Sequence, residues 1–390
     1  MTEAEDGKAE SSVPSNPVAC LVPYLPLSTP LVFSGWWLGP LESFGGPWLS
    51  TEFEQSVRRL AEVFRDPAGQ PLRRPSILVS EVDGADGAPP SREALRCLQL
   101  AIAFATIQQN VYWSSDDRHD GWRVATSDNA MLWVQPLDLV DHRIALGRGS
   151  RVQSTAGGYK LTDEGFLIPP PLELHLPFYI TLDAELLEAL YTVLMQPPAG
   201  TEHVVSSIAV AVSWLIKSWQ NTPSITWEDR LVFVKVATEA LTGKERSHES
   251  AAALLEIFRS TPDQRGAGVG GSCLLWQPDE PLLTRTYTKN GRPTASEVTQ
   301  MEHWACALGD ARNAVVHGEA DIEHMYHEAN SPYAGPFVEI GDRVVREAIT
   351  VILGALGYPR VWRRGIARAS FAAYEHLLEV NSSESAAEPG

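Results

Sequence analysis

The window of the chain that is richest in chemically useful side chains is GDARNAVVHGEAD, residues 309–321, which contains Arg312, Asn313 and His317. An arginine offers a planar fork of donors that matches the oxygens of a phosphate. A histidine can accept or donate a proton near neutral pH, and an asparagine can orient either partner through its amide. Together, these three side chains could grip a phosphate and move a proton beside it.

A helix is expected to carry this window. The apolar residues that recur at helical spacing are Val298, Met301, Ala305, Leu308, Ala311 and Val315. Their spacing predicts one buried face, and Asn313 and His317 would then lie one turn apart on the opposite side. Arg312 would lie between the two faces, with a side chain long enough to bend toward either. Gly318 is the expected end of the helix, because glycine readily adopts the left-handed conformation of a C-cap.

A structural role for the same residues is the alternative. Arg312 and His317 could interact with the last carbonyl groups of the helix and with the negative end of its dipole. Asn313 would then be an ordinary surface residue. Both interpretations place the window at the end of a helix, so the surroundings must decide between them.

Helical spacing dominates the second half of the chain. It is present over residues 182–196, 202–220, 227–245, 248–258, 296–318, 340–357 and 367–380. The first half alternates short β-like runs with two amphipathic segments, at 51–64 and at 91–113, and Ser91 is the expected N-cap of the second. The proline-rich run at 165–178 predicts an extended connector between the halves.

We therefore predict four regions. They are a disordered N-terminus at 1–16, an α+β recognition or regulatory domain at 17–180, an all-α helical domain at 181–380, and a disordered tail at 381–390. The chain of 390 residues is long enough for two domains, since single cores tend to stop growing at roughly 250–300 residues.

Composition limits the classes of function. The 31 Lys and Arg against 49 Asp and Glu leave a net charge of −18, which argues against broad capture of nucleic acid and leaves only a local basic cleft. The four cysteines form no paired motif, and no apolar run approaches the roughly 20 residues that span a bilayer. We expect a soluble cytoplasmic protein with no bound metal or cofactor and no membrane partner.

Arg312 and Asn313, followed by His317 and Gly318, resemble the arginine–polar–x3–histidine signature of the HEPN superfamily, the helical domains of many prokaryotic defence and toxin ribonucleases. Upstream, residues 227–258 resemble the first helix pair of the ApeA-like branch, with the segment ATEALTGK in place of that branch's acidic Ala-Leu-rich helix end. The resemblance covers about residues 200–380. It implies a HEPN-like helical bundle that dimerises so that two motifs face one cleft, and metal-independent RNA cleavage that leaves a cyclic phosphate.

Two further groups are candidates to act beside the motif. The basic segment PRVWRRGIAR would track RNA through Arg360, Arg363, Arg364 and Arg368, with Trp362 as a stacking face; a solvated helix start with a core Trp is an equal alternative. Glu239 is a candidate to contact Arg312, although an ordinary surface carboxylate is the favoured interpretation.

The predicted function is a metal-independent endoribonuclease of an antiviral defence or toxin system, with RNA as substrate, a homodimeric site and a trigger recognised by the N-terminal domain. The alternative is a catalytically silent HEPN-like scaffold that binds RNA or protein. GAGVGG at 266–271 is discounted as a nucleotide loop because no strand precedes it. Glu323, His324 and His327 are discounted as metal ligands, and Trp36 and Trp37 are favoured as covered residues rather than an aromatic platform.

Overall fold

The computed structural model of the chain describes the following residues: 18–45, 51–65, 71–80, 91–115, 133–138, 143–144, 153–155, 158–160, 166–167, 179–180, 182–220, 225–259, 282–289, 292–318 and 337–358. The predictions for the two chain ends, for the helix at 367–380 and for most of the proline-rich connector lie outside these residues.

An antiparallel sheet organises the N-terminal part. The strands of the described residues are β1 (Val18–Val22), β2 (Leu31–Phe33), β3 (Trp36–Pro40), β4 (Phe64–Arg65), β5 (Ser76–Ser80), β6 (Trp133–Asp138), β7 (Arg143–Ile144), β8 (Gln153–Thr155), β9 (Gly158–Lys160), β10 (Phe166–Leu167), β11 (Leu283–Lys289) and β12 (Arg292–Val298). Six of them form one sheet in the order β2-β3-β5-β1-β6-β7. The continuous apolar runs of β1 and β5 explain their interior places, because both faces of these strands are covered.

The helices of the described residues are α1 (Thr51–Val63), α2 (Arg92–Ser115), α3 (Ala184–Met195), α4 (Glu202–Ser218), α5 (Trp227–Thr242), α6 (Ser247–Arg259), α7 (Gln300–His317) and α8 (Phe337–Ala355). Ser91 caps α2 by accepting from the backbone N–H of Ala94 at 3.0 Å. Asp183 caps α3 by accepting from Glu185 at 3.0 Å. Such oxygens satisfy N–H groups that have no partner inside the helix. The helices predicted at these positions, and the Ser91 cap, are confirmed.

The predicted helix over 296–318 is wrong at its first residues. Ser296 and Val298 belong to β12, which pairs antiparallel with β11. The helix begins after Thr299, whose side chain accepts from Glu302 N at 3.1 Å while its own N–H donates to Glu302 Oε2 at 2.9 Å. This capping box starts the helix at Gln300, so Val298 belongs to the hairpin and not to the apolar face of the helix.

Successive side chains of a strand point to opposite sides of the sheet, and apolar residues on both sides are buried here. On one face, Leu21 and Trp37 pack with Phe53 of α1. On the other face, Cys20 and Leu78 join a larger core that contains residues of α2 to α8. The sheet therefore lies between one helix and the helical remainder of the chain.

The neighbouring tryptophans of β3 are both covered, with exposures of 5% for Trp36 and 6% for Trp37. Trp36 donates its indole N–H to the hydroxyl of Tyr191 at 3.2 Å. Trp37 makes an edge contact with Phe44, with ring centroids 5.4 Å apart. The favoured interpretation of this pair as covered core residues is confirmed.

The larger core contains residues from both sides of the boundary predicted near residue 180. Leu38 and Leu78 of the sheet share it with Leu187 of α3 and Trp304 of α7. The observed architecture is thus a small N-terminal antiparallel sheet followed by a mostly helical remainder, and the two rest directly on each other. The division into separate domains at 180 stays a prediction.

A buried ion pair in α8 joins three helices. Arg346 donates from Nε and Nη2 to the Asp342 carboxylate at 2.5 and 2.7 Å, and the two side chains are 2% and 1% exposed. Trp219, at the end of α4, donates its indole N–H to Asp342 at 2.8 Å. Arg346 also lies over the ring of Phe104 in α2, 5.3 Å from its centroid. One charged centre therefore positions α2, α4 and α8.

Arg346→Ala is expected to lower the free energy of unfolding by about 3–5 kcal/mol, because it leaves the Asp342 carboxylate buried without its charge partner. Chemical denaturation followed by tryptophan fluorescence measures the change. Arg246→Ala is the matched control, since Arg246 and Glu249 pair on the surface with 74% and 41% exposure and the expected change is below about 1 kcal/mol. Equal losses in the two variants would show that burial does not matter to the Arg346 pair.

Candidate active site at the end of helix α7

The rotation of α7 is set by its apolar face. Its buried apolar residues include Met301, Trp304, Ala305, Leu308, Ala311 and Ala314. Trp304 has the largest volume among the fully buried side chains that the structure describes, and Val315 is partly buried. Because these residues face the core, the residues on the other side of the helix are directed outward.

Gly309 allows α7 to approach the beginning of α6 closely. A Cβ atom at this position would lie 2.1 Å from Ser247 Oγ and 3.8 Å from Lys235 Cε. The first distance is far too short for atoms that are not bonded, so a larger residue would push α6 and α7 apart or displace Ser247. The glycine therefore sets how deeply the next turn of α7, which begins the motif, lies against α5 and α6.

Arg312 bends toward the polar side of the helix, the choice that the sequence left open. Its Nη1 donates to Asn313 Oδ1 at 3.1 Å. Its Nε is enclosed and has no hydrogen-bond partner among the described residues. The guanidinium is thus held by Asn313 at one end and has a donor that the described protein groups leave unused.

Asn313 and His317 are both exposed, one helical turn apart. His317 is the last residue of α7, and Val316 beside it is 54% exposed. A ligand can therefore reach the asparagine amide and the imidazole from solvent. The structure places the three predicted catalytic residues on one accessible end of the helix and brings Arg312 and Asn313 into direct contact.

Gly318 ends the helix as the sequence predicts. Its φ of 69° and ψ of 27° are left-handed, and its N–H donates to the carbonyl groups of Ala314 and Val315. The cap turns the chain immediately after His317. The helix-end interpretation and the active-site interpretation are therefore compatible, because the helix end is what presents the imidazole.

Glu239 forms an ion pair within its own helix. Its carboxylate lies 3.2 Å from the ammonium of Lys235, one turn earlier on α5, and the Lys235 side chain is only 4% exposed. Glu239 thus neutralises a buried lysine. Among the described residues Arg312 donates to Asn313, and a contact of Glu239 with Arg312 stays a prediction.

The other predicted groups lie outside the described residues. They are Arg360, Trp362, Arg363, Arg364 and Arg368 of the basic segment, the group Glu323, His324 and His327, and the glycine-rich run at 266–271. Their predicted roles stay predictions.

A cationic residue that sequence reasoning missed approaches the outward side of α7. Arg285 of β11 pairs with Asp310 of α7 through Nη2 and Oδ2 at 2.6 Å. The sequence holds a signal for the hairpin that carries it, because Asn290 and Gly291 between two alternating segments are typical of a two-residue β-turn. Without the hairpin, nothing in the sequence connects Arg285 with the motif.

The charge of Arg285 acts on two further groups of α7. Burial lowers the pKa of His303, and the nearby Arg285 cation lowers it further. Burial raises the pKa of the Cys306 thiol, with Asp310 and Glu302 also raising it, whereas Arg285 opposes the rise. The outward side of α7 is therefore influenced by positive charge from the hairpin.

The arrangement at the end of α7 combines a cation with a planar donor fork, an amide that holds it, and an accessible imidazole. Such groups can bind a phosphodiester, stabilise extra negative charge on it and transfer a proton. Within the described stretches, His, Cys, Asp and Glu side chains do not gather in threes as they would around a metal ion.

Comparison with known proteins adds no assignment: no protein-family model, curated protein or solved structure matches the chain. Among the described helices, none combines the length and the apolar character needed to cross a membrane.

Gly318→Ala is expected to destabilise the end of α7 by about 1–2 kcal/mol, because a Cβ makes the left-handed conformation unfavourable. Among the described residues no atom lies within 4 Å of a Cβ added to Gly318, so the substitution tests conformational strain. Hydrogen exchange of the last turn of α7, together with thermal unfolding, measures the effect.

Gly354→Ala is the matched control, since this glycine lies within α8 and an added Cβ there also meets no atom of the described residues within 4 Å. It should stabilise the protein by roughly 0.5–1 kcal/mol, because alanine favours helical backbone. Destabilisation of both variants to the same extent would contradict the left-handed cap at Gly318.

Proposed function

We propose that the chain is a metal-independent endoribonuclease of a prokaryotic antiviral defence or toxin system, built on a HEPN-like helical bundle. The observation that carries the proposal is the contact between Arg312 and Asn313 one turn before the exposed His317, at the capped end of α7. The proposal also rests on the resemblance of this motif to the HEPN signature.

The reaction would be attack of an RNA 2′-hydroxyl on the adjacent phosphorus. The bond from O2′ to phosphorus forms, the bond from phosphorus to O5′ breaks, and the products carry a 2′,3′-cyclic phosphate and a 5′-hydroxyl. A base must remove the proton of the 2′-hydroxyl, and an acid must supply a proton to O5′. His317 can fill either role, because an imidazole both accepts and donates protons near neutral pH.

Arg312 would stabilise the negative charge that builds up on the non-bridging oxygens. Its fork geometry suits two of these oxygens at once, which a lysine could not match. Asn313 accepts from Nη1 and so limits the rotation of the guanidinium. A cation held in place before the reaction stabilises the transition state more than one that must first reorganise.

A second copy of the chain would complete the site. Base and acid act on opposite sides of the same phosphorus, and one motif supplies a single imidazole. A dimer in which two α7 ends face each other would supply two imidazoles and two guanidinium groups. RNA binding requires a local concentration of positive charge. This dimer supplies it on a chain whose net charge is −18.

We assign the N-terminal part a recognition or regulatory role. Its sheet shares a core with α7 through residues such as Leu78 and Trp304. A partner that altered the packing of the sheet could therefore affect the position of the motif.

Wild-type protein is expected to cleave single-stranded RNA in the presence of a metal chelator. His317→Ala should reduce the rate by at least about 100-fold, because a general acid or base contributes roughly 10²–10⁴-fold. Arg312→Ala should reduce the cleavage rate by a similar factor, because the negative charge of the transition state is no longer stabilised. Arg312→Lys should restore only part of the rate, since the charge returns without the planar fork. Gel analysis of the RNA fragments and their terminal groups measures these effects.

His248→Ala is the matched control, because the His248 side chain of α6 is 66% exposed and lies outside the motif; its rate should equal that of the wild type. If the wild type binds RNA tightly but does not cleave it, even with its activating signal present, the enzyme proposal is refuted. A catalytically silent RNA-binding scaffold is then favoured. Cleavage that persists in both His317→Ala and Arg312→Ala would place the chemistry elsewhere.

Val316→Asp is expected to weaken the dimer by more than about tenfold in Kd, or about 1.4 kcal/mol, because it would place a charge in the interface beside the motif. Analytical ultracentrifugation over a dilution series measures this. Val32→Asp is the control, since Val32 of β2 is similarly exposed, 59% against 54% for Val316. A wild type that stays monomeric at every concentration would contradict the composite site.

A further inference from the structure

The pair of Arg285 and Asp310 lies on the side of α7 that carries the motif. Asp310 comes three residues before Asn313 and seven before His317. With about 3.6 residues per turn and a rise of about 1.5 Å per residue, Asp310 and His317 point in nearly the same direction and lie about 10.5 Å apart along the helix. Arg285 therefore delivers positive charge to the same outward side, two turns before the imidazole.

Both members of the pair can be reached from solvent. The Arg285 side chain is 21% exposed and the Asp310 side chain is 58% exposed. An exposed carboxylate stabilises its partner arginine only weakly, because water screens the attraction between the two charges. A phosphate can replace such a carboxylate, because its oxygens fit the same donor fork and carry more negative charge.

We propose that Arg285 is a second contact for the RNA backbone, which exchanges the Asp310 carboxylate for a phosphate that neighbours the one that is cleaved. This proposal rests on the proposed function, because it takes the end of α7 as the place of cleavage. The separation of about 10.5 Å along α7 is too long for one phosphate to contact both Arg285 and His317, so Arg285 would contact a neighbouring phosphate. The substrate is then a single strand that runs along α7.

Asp310 has a defined part in this arrangement. In the absence of RNA, its carboxylate neutralises Arg285 and holds it over α7. An RNA strand must displace the carboxylate, so Asp310 lowers the affinity for any polyanion that cannot also occupy the motif. Arg285 and Asp310 therefore have opposite effects on RNA affinity.

Binding is measured with a single-stranded 2′-O-methyl RNA of about 15 nucleotides, which cannot undergo attack by its 2′-oxygen, over a series of salt concentrations. Arg285→Ala should weaken binding about tenfold at low salt. It should also reduce the slope of log affinity against log salt by about 0.7, the value for one phosphate contact on a single strand. Asp310→Asn should tighten binding, and Arg285→Lys should keep the slope.

The matched control is the pair of Arg96 and Glu93 on α2, which is also exposed, with 62% and 67% exposure and a distance of 3.6 Å. Arg96→Ala and Glu93→Gln should leave both affinity and slope unchanged. Circular dichroism checks that each variant is folded. A strand so short that its single phosphate occupies the motif should bind wild type and Arg285→Ala equally.

The outcomes separate this proposal from the proposed function. If Arg285 and Asp310 only fasten the hairpin to α7, then Arg285→Ala and Asp310→Asn weaken binding alike, and the phosphate contact is refuted. If the wild type cleaves unmodified RNA and Arg285→Ala has the same salt slope as the wild type, the phosphate contact is refuted and the enzyme proposal stands. Arg285-dependent binding without any cleavage would support the phosphate contact and overturn the enzyme.

Discussion

The burial of Trp304 determines how α7 presents the candidate site. Its indole is fully enclosed, and it lies against α8 where an added Cβ on Gly341 would come within 3.0 Å of the ring and 2.3 Å of Val234 on α5. The indole N–H has no hydrogen-bond partner among the described residues, so packing holds the ring in place. Since Arg312 and His317 are attached to the same rigid helix, this packing decides which of their atoms reach solvent.

The core around α7 contains polar groups as well as apolar ones. The buried pair of Asp342 and Arg346 lies at the junction of α2, α4 and α8, and the buried Lys235 is neutralised by Glu239 beside Gly309. Buried charges are stable only with a well-placed partner, so each pair restricts the arrangements that its helices can adopt. The sheet, the helical part and the motif are in this way linked through one continuous core.

Much of the helical architecture could be predicted from local patterns. The positions of α3 to α8 follow from apolar spacing, the start of α2 follows from Ser91, and the end of α7 follows from Gly318. Prediction failed where one element gave way to another. Residues 296–298 share the apolar spacing of α7, yet they pair with β11, because the Thr299 capping box makes Gln300 the first residue of the helix.

The candidate site divides in the same way. The sequence by itself determined the types of the three motif side chains, their order, their place at a helix end and the glycine that closes it, because these depend on contacts within a few residues. Only the tertiary structure decided that Arg312 bends toward the polar side of its helix, that Lys235 is buried where Glu239 neutralises it, and that Arg285 meets Asp310. The contacts of Arg312 with Asn313 and of Lys235 with Glu239 are local, but the burial that directs these side chains and the approach of Arg285 to α7 come from elements far apart in the chain. Their meeting depends on how the whole core packs around Trp304, and local spacing carries no record of that packing.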